Sequence, residues 1–270
     1  MIAGGGHNTA LGTNSAVGGG NMNIAMANFA VISGGRENLV GTNEFWSSEA
    51  SAIGGGQYNQ VYAPNSVIGG GKSNLIRYTG LYGAIGGGYR NEIHVGAWST
   101  VAGGNDNYIE SNGGTIGGGV QNTVGNSGGE YEYGTVAGGW RNSAGPNGAT
   151  VGGGYRNAAS GTVSTVSGGT NNVAYGTAST VGGGRRNRAE AWYSAVGGGS
   201  DNRAYGADSV IAGGGGNIAS NDFASVVGGS GNLASGYAGV VGGGEENTAS
   251  AAGAAIAGGS NNIASGVGSA

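Results

Sequence analysis

Cysteine is absent from the 270-residue chain, which excludes a disulfide scaffold and thiolate metal sites and leaves the compartment open. Charge is sparse: 10 Lys and Arg against 14 Asp and Glu give a net charge of −4, with no basic footprint for nucleic acid. The only histidines, His7 and His94, lie too far apart to share a metal site or a catalytic dyad. The pattern of apolar residues leads us to expect neither a membrane-spanning helix nor a signal peptide. Glycine, in contrast, supplies 68 residues, a composition that raises collagen or disorder. Collagen needs glycine at every third position, and the period here is fifteen.

Residues 151–210 show that period directly as VGGGYRNAASGTVST, VSGGTNNVAYGTAST, VGGGRRNRAEAWYSA and VGGGSDNRAYGADSV. Carried through the chain, the frame gives an Asn column of seventeen: Asn8, Asn23, Asn38, Asn59, Asn74, Asn91, Asn107, Asn122, Asn142, Asn157, Asn172, Asn187, Asn202, Asn217, Asn232, Asn247 and Asn262. Val or Ile stands six residues before each, two glycines lie between, and a small or branched aliphatic follows two residues later. Aliphatic columns that never lose phase argue against disorder, and a fixed period of this kind is the signature of a solenoid.

Within a copy, alternate residues are small or aliphatic, as in Ser164-Thr165-Val166-Ser167-Gly168, and period two is a strand period. Two strands of about five residues and two Gly-rich corners fill one coil. Successive coils stack about 4.8 Å apart, so seventeen make a rod of about 80 Å. The reading is therefore an all-β parallel β-solenoid, residues 1–270 as a single domain, with two short strands per coil. The Val/Ile and Ala/Val/Ile columns face each other across a thin interior, and the glycines serve sharp turns or close approaches. Asn at a corner tolerates left-handed conformations and bonds to backbone. Stacked, the amides form a structural ladder through Asn8, Asn23, Asn38, Asn157, Asn172, Asn187, Asn202 and Asn232.

Stretches such as Ser179-Thr180-Val181-Gly182-Gly183, Ser194-Ala195-Val196-Gly197-Gly198 and Asn232-Leu233-Ala234-Ser235-Gly236 are similar to the head repeat of YadA-like trimeric autotransporter adhesins. The resemblance implies a left-handed β-roll, an extracellular, cell-surface or phage-fibre setting, trimerisation and attachment to host surfaces. A second likeness, carried by Gln121-Asn122-Thr123-Val124-Gly125, is to plant ice-binding β-rolls. Their flat, sparsely charged ice face has a candidate in Thr100, Thr115, Thr135, Thr150, Thr165 and Thr180, one outward column in six successive coils. A Thr rank also fits plain strand propensity on an exposed face.

Four coils break the period, at 41–51, 77–83, 94–99 and 125–134, all at the corner after the second aliphatic column. In repeat proteins insertions of this kind mark one face, often the binding face. They carry Phe45, Trp46, Tyr78, Tyr82, Trp98, Tyr131 and Tyr133 with Glu44, Glu49, Glu130 and Glu132, a set suited to stacking on sugars or on a partner chain. A second strip, Trp140-Arg141, Tyr155-Arg156, Arg185-Arg186, Arg188 and Arg203, reads as a solvated edge, given Glu190, Asp201 and Asp208 nearby. Glu245 and Glu246 share an exposed turn without a base or nucleophile. The Gly-rich runs, including Gly71-Lys72-Ser73, are copies of the β repeat rather than phosphate loops. The expectation is a non-enzymatic fibre segment with no cofactor and no metal. Its partners are further copies, as a lateral trimer or stacked head to tail from uncapped ends, and a host surface or glycan. Ice binding is the alternative.

Overall fold

A computed structural model describes residues 1–41, 49–125, 133–145 and 147–269. These form two compact units, Met1–Arg141 and Asn142–Ala270. Each is an all-β parallel solenoid in which every second strand pairs with its counterpart one coil on. One ladder carries the Val or Ile that precedes the glycines. It runs through Val17↔Ile32 in the first unit and Val166↔Val181 in the second. The other carries the aliphatic that follows Asn, as in Ala25↔Val40 and Ala174↔Ala189.

The strands are shorter than the alternation suggests. Nearly all span two residues rather than about five; Leu75–Thr79, Glu92–Val95 and Tyr108–Glu110 are longer. The cause lies at the corners, where two residues of each coil, besides the second glycine of the pair, take positive φ. One such residue directly precedes the Asn, as in Met22, Glu37, Tyr58, Arg90 and Asn171, all at φ 54–58°. The other closes the opposite corner, as in Phe29, Tyr82, Trp98 and Tyr193, at 54–59°. Left-handed backbone ends a strand, and its cost for a side-chain-bearing residue is offset by an amide bond to the preceding coil. Thus Met22 N–H donates to the Gly6 carbonyl at 3.0 Å and Tyr193 N–H to that of Thr177 at 2.9 Å. The column Asn, which tolerates this conformation, does not take it; its neighbour does. Between the two ladders runs a third, of single-residue bridges, as in Asn21↔Arg36 and Thr170↔Arg185.

Two aliphatic columns face each other across the interior. Ile32, Ile53, Ile116, Val166 and Val181 are fully buried against Val40, Ile76, Ile109, Ala174 and Ala189. Burying each branched side chain contributes about 1.5–3 kcal/mol. The second column is branched from Val40 to Val124 and Ala from Ala144 to Ala264. Where it is largest, the facing corner gives way. A Cβ at Gly80 would lie 2.8 Å from Ile76 Cγ2, and one at Gly114 2.7 Å from Ile109 Cγ2.

The Asn side chains stitch the coils together. Asn172 Nδ2 donates to the carbonyls of Gly168 and, one coil on, Gly184, both at 2.8 Å. Its Oδ1 accepts the Asn187 N–H at 3.0 Å. Asn38 makes the same three bonds in the first unit, with Gly34, Gly56 and Asn59. These amides are wholly buried, and the bonds to backbone satisfy both their own polar atoms and the buried N–H of the next Asn. The ladder also dictates the second glycine of each pair. At Gly199, φ is +87° and a Cβ would sit 2.1 Å from the Gly214 carbonyl oxygen and 2.8 Å from Asn202 Nδ2.

Candidate functional site

With the interior consumed by packing, chemistry is confined to outward surfaces, and these differ sharply. The ladder bearing the Val/Ile column presents two outward columns. In the first unit they run Val31, Ala52, Val67, Ala84, Thr100, Thr115, Thr135 and Ser33, Gly54, Gly69, Gly86, Ala102, Gly117, Ala137. In the second they run Thr150, Thr165, Thr180, Ala195, Val210, Ser225, Val240 and Gly152, Ser167, Gly182, Gly197, Ala212, Val227, Gly242. None of the 10 basic and 14 acidic residues belongs to either column. The threonines stand in register, Thr100↔Thr115↔Thr135 in one unit and Thr150↔Thr165↔Thr180 in the other.

The second surface is the closing corner of the first unit. Tyr82, Trp98 and Tyr133 each occupy its left-handed position, with amide bonds to the carbonyls of Pro64, Leu81 and Asn112. That fixes the side-chain direction, because the backbone at this point belongs to the coil and the extra residues precede it. The Tyr82 and Trp98 rings are parallel with centroids 6.0 Å apart, and both are more than half exposed. Tyr133 lies over Gly113, where a Cβ would come 2.4 Å from its ring. Phe45, Trp46 and Tyr131, with Glu44, Glu130 and Glu132, lie outside the described residues.

Tyr78 does not join this group. The insertion at 77–83 continues the strand Leu75–Thr79 before turning, so Tyr78 stands on the neighbouring sheet face. There it stacks on Tyr62, with centroids 5.3 Å apart and planes at 18°. Next to the pair, Arg77 Nε donates to Glu92 Oε1, and His94 Nδ1 lies 3.3 Å from the same oxygen. The His94 ring meets Tyr108 edge-on at 5.7 Å. Burial pushes the Tyr62 and Tyr108 phenols above their usual range, with Tyr78 adding to the first and Glu110 and Glu92 to the second. The Glu92 hydrogen bond raises Arg77 further. The sequence reading missed Tyr62, Glu92 and Tyr108. The available signal was the period itself, which stacks Tyr62, Arg77 and His94 in one outward column and Gln60, Leu75, Glu92 and Tyr108 in the other.

Several arginines of the strip are held by neighbours within their own unit. In the first, the Arg141 guanidinium lies 5.2 Å from the Trp140 ring centre and its Nε donates to Gln121 at 2.8 Å. In the second, Arg156 covers Tyr155 at 5.1 Å, Arg186 pairs with Asp201 at 2.8 Å, and Arg188 pairs with Glu190. No protein-family model and no curated protein sequence matches the chain.

Proposed function

We propose that the chain is a non-enzymatic segment of an extracellular or cell-surface fibre. It self-associates through the uncharged sheet face and presents the aromatic corner of its first unit to a surface or glycan. The observation that carries the reading is the partition of charge. The uncharged face bears no ionic side chain, yet Val31 and Val67 in the first unit and Val210, Val227 and Val240 in the second stand 39–56% exposed on it. A continuous apolar surface rimmed by polar residues marks an association face. Small residues let a second backbone approach closely. Sedimentation of the natural chain is expected to show concentration-dependent oligomers, and Val67→Lys with Val210→Lys to leave a monomer of unchanged circular dichroism. A natural chain that stays monomeric at every concentration rules the reading out.

Ice binding is the second reading, favoured by one observation: in each unit the registered threonines lie on the uncharged face. It predicts thermal hysteresis that is lost in Thr150→Tyr. Oligomers without hysteresis leave the first reading alone.

A further inference from the structure

The sheet face opposite in character to the uncharged one carries a compact set of rings and paired charges in the first unit. Beside the Tyr62–Tyr78 stack, an open, shallow depression is lined by Leu75, Tyr89, Arg90, Glu92, Asp106 and Tyr108. Arg90 Nε lies 3.3 Å from Asp106 Oδ1, and its guanidinium sits 5.9 Å from the Tyr89 ring centre. Glu92 is held by Arg77 on the other side. We infer that this face, from Tyr62 to Tyr108, binds a neutral pyranose polysaccharide.

Three features select that chemistry. Arg77 is matched by Glu92 and Arg90 by Asp106, and Glu110 beside Tyr108 adds a negative charge, so the depression disfavours an anionic ligand. The planar guanidinium and carboxylate groups are held by their partners, ready to donate to and accept from neighbouring hydroxyls. The rings offer flat faces of negative quadrupole, which suit the C–H face of a sugar ring.

Other ligand classes fit worse. A peptide adding a strand needs an open edge, and Leu75 and Glu92 are already paired on both sides. Nucleic acid needs surplus positive charge along a track. An open depression suits a polymer that crosses it better than a small molecule that must be enclosed. In the second unit the column of Glu92 and Tyr108 carries Ala158, Val173, Arg188, Arg203 and Ile218, with no ring among them, while the column of Tyr62 carries Tyr175 and Tyr205 and that of Tyr89 carries Tyr155. The combination of Tyr62, Glu92 and Tyr108 is therefore confined to the first unit. It is distinct from the corner of Tyr82 and Trp98 and does not depend on self-association.

The test is affinity electrophoresis of the full chain through gels containing a soluble β-glucan, a xylan or a galactomannan, with heparin as the anionic comparator. At least one neutral polymer is expected to retard the protein, independently of added salt. Tyr62→Ala and Tyr108→Ala are each expected to weaken retardation about tenfold. The surface variant Arg90→Gln weakens it while leaving Tyr62 and Tyr108 in place, and Tyr237→Ala in the second unit leaves it unchanged. The site is overturned if no neutral polymer retards the chain, if the first-unit variants bind as the natural chain does, or if only heparin binds. Sedimentation of the same variants keeps this result separate from the proposed association, since the oligomers are expected to be those of the natural chain.

Discussion

Asn171 and Asn172 are chemically identical neighbours with different tasks, which makes them a test of the ladder. Asn172→Ala deletes two donated bonds and one accepted bond. It strands the buried N–H of Asn187 and takes a bond from the part-buried carbonyls of Gly168 and Gly184, of which Gly184 keeps the Thr170 N–H. The stranded N–H costs about 1–3 kcal/mol and each lost carbonyl bond about 0.5–1.5 kcal/mol, so the loss is about 2–5 kcal/mol. Asn171 is the left-handed residue, φ 56°, whose amide donates to the Tyr155 carbonyl at 2.9 Å. Asn171→Ala keeps that bond and costs about 1–2 kcal/mol for the conformation, while Asn171→Gly costs close to nothing. Urea unfolding followed by circular dichroism gives the order Asn172→Ala, then Asn171→Ala, then Asn171→Gly. Hydrogen exchange adds the location, because a solenoid loses stability mainly in the coils that touch the defect. An Asn172→Ala variant as stable as Asn171→Ala refutes the ladder as a source of stability.

The paired glycines give a second contrast. Gly199→Ala puts a Cβ against the Gly214 carbonyl at positive φ and is expected to cost about 3 kcal/mol or more, whereas Gly198→Ala points into open space and stays within about 0.5 kcal/mol. Val163 is a β-branched residue at φ 48° and more than half exposed, so Val163→Asn should raise the melting temperature, by about 0.5–1 kcal/mol of stability. Because the Tyr62 and Tyr108 phenols are raised in the folded chain, their contribution is complete below the unfolded value of about 10 and is lost as pH climbs through the folded one. Absorbance titration should show two late tyrosines, one removed by Tyr62→Phe and the other by Tyr108→Phe.

Much of the fold is legible because a strict period repeats each physical constraint many times. The Val/Ile column, the aliphatic opposite it and the buried Asn could be read in register. So could the second glycine, since no other residue tolerates both its φ and the carbonyl beside it. The corners were opaque for the opposite reason. The left-handed position before Asn is filled by His7, Met22, Glu37, Tyr58 and Arg90, and a backbone demand met by such varied side chains leaves no compositional trace. The bridges between the ladders involve one residue per coil, too little for an alternating pattern. Among the candidate binding residues, Tyr82 and Trp98 were brought together as the shared corner implies. Tyr78 went elsewhere, because a two-residue insertion was absorbed as strand, and the length of an insertion does not reveal where it bends.

Coils lying in register upon one another are the claim beneath all of this, and a chain without cysteine allows a clean measurement. Thr165 and Thr180 are lateral partners one coil apart, and partners in a parallel ladder sit about 4.8 Å apart, within the span a disulfide bridges. The double variant Thr165→Cys, Thr180→Cys is expected to close an intramolecular disulfide under mild oxidation, read by mass spectrometry. The pair Thr165→Cys, Val181→Cys, shifted by one residue to the buried face, should stay reduced. Closure of the shifted pair, or of neither, would contradict the stacked coil.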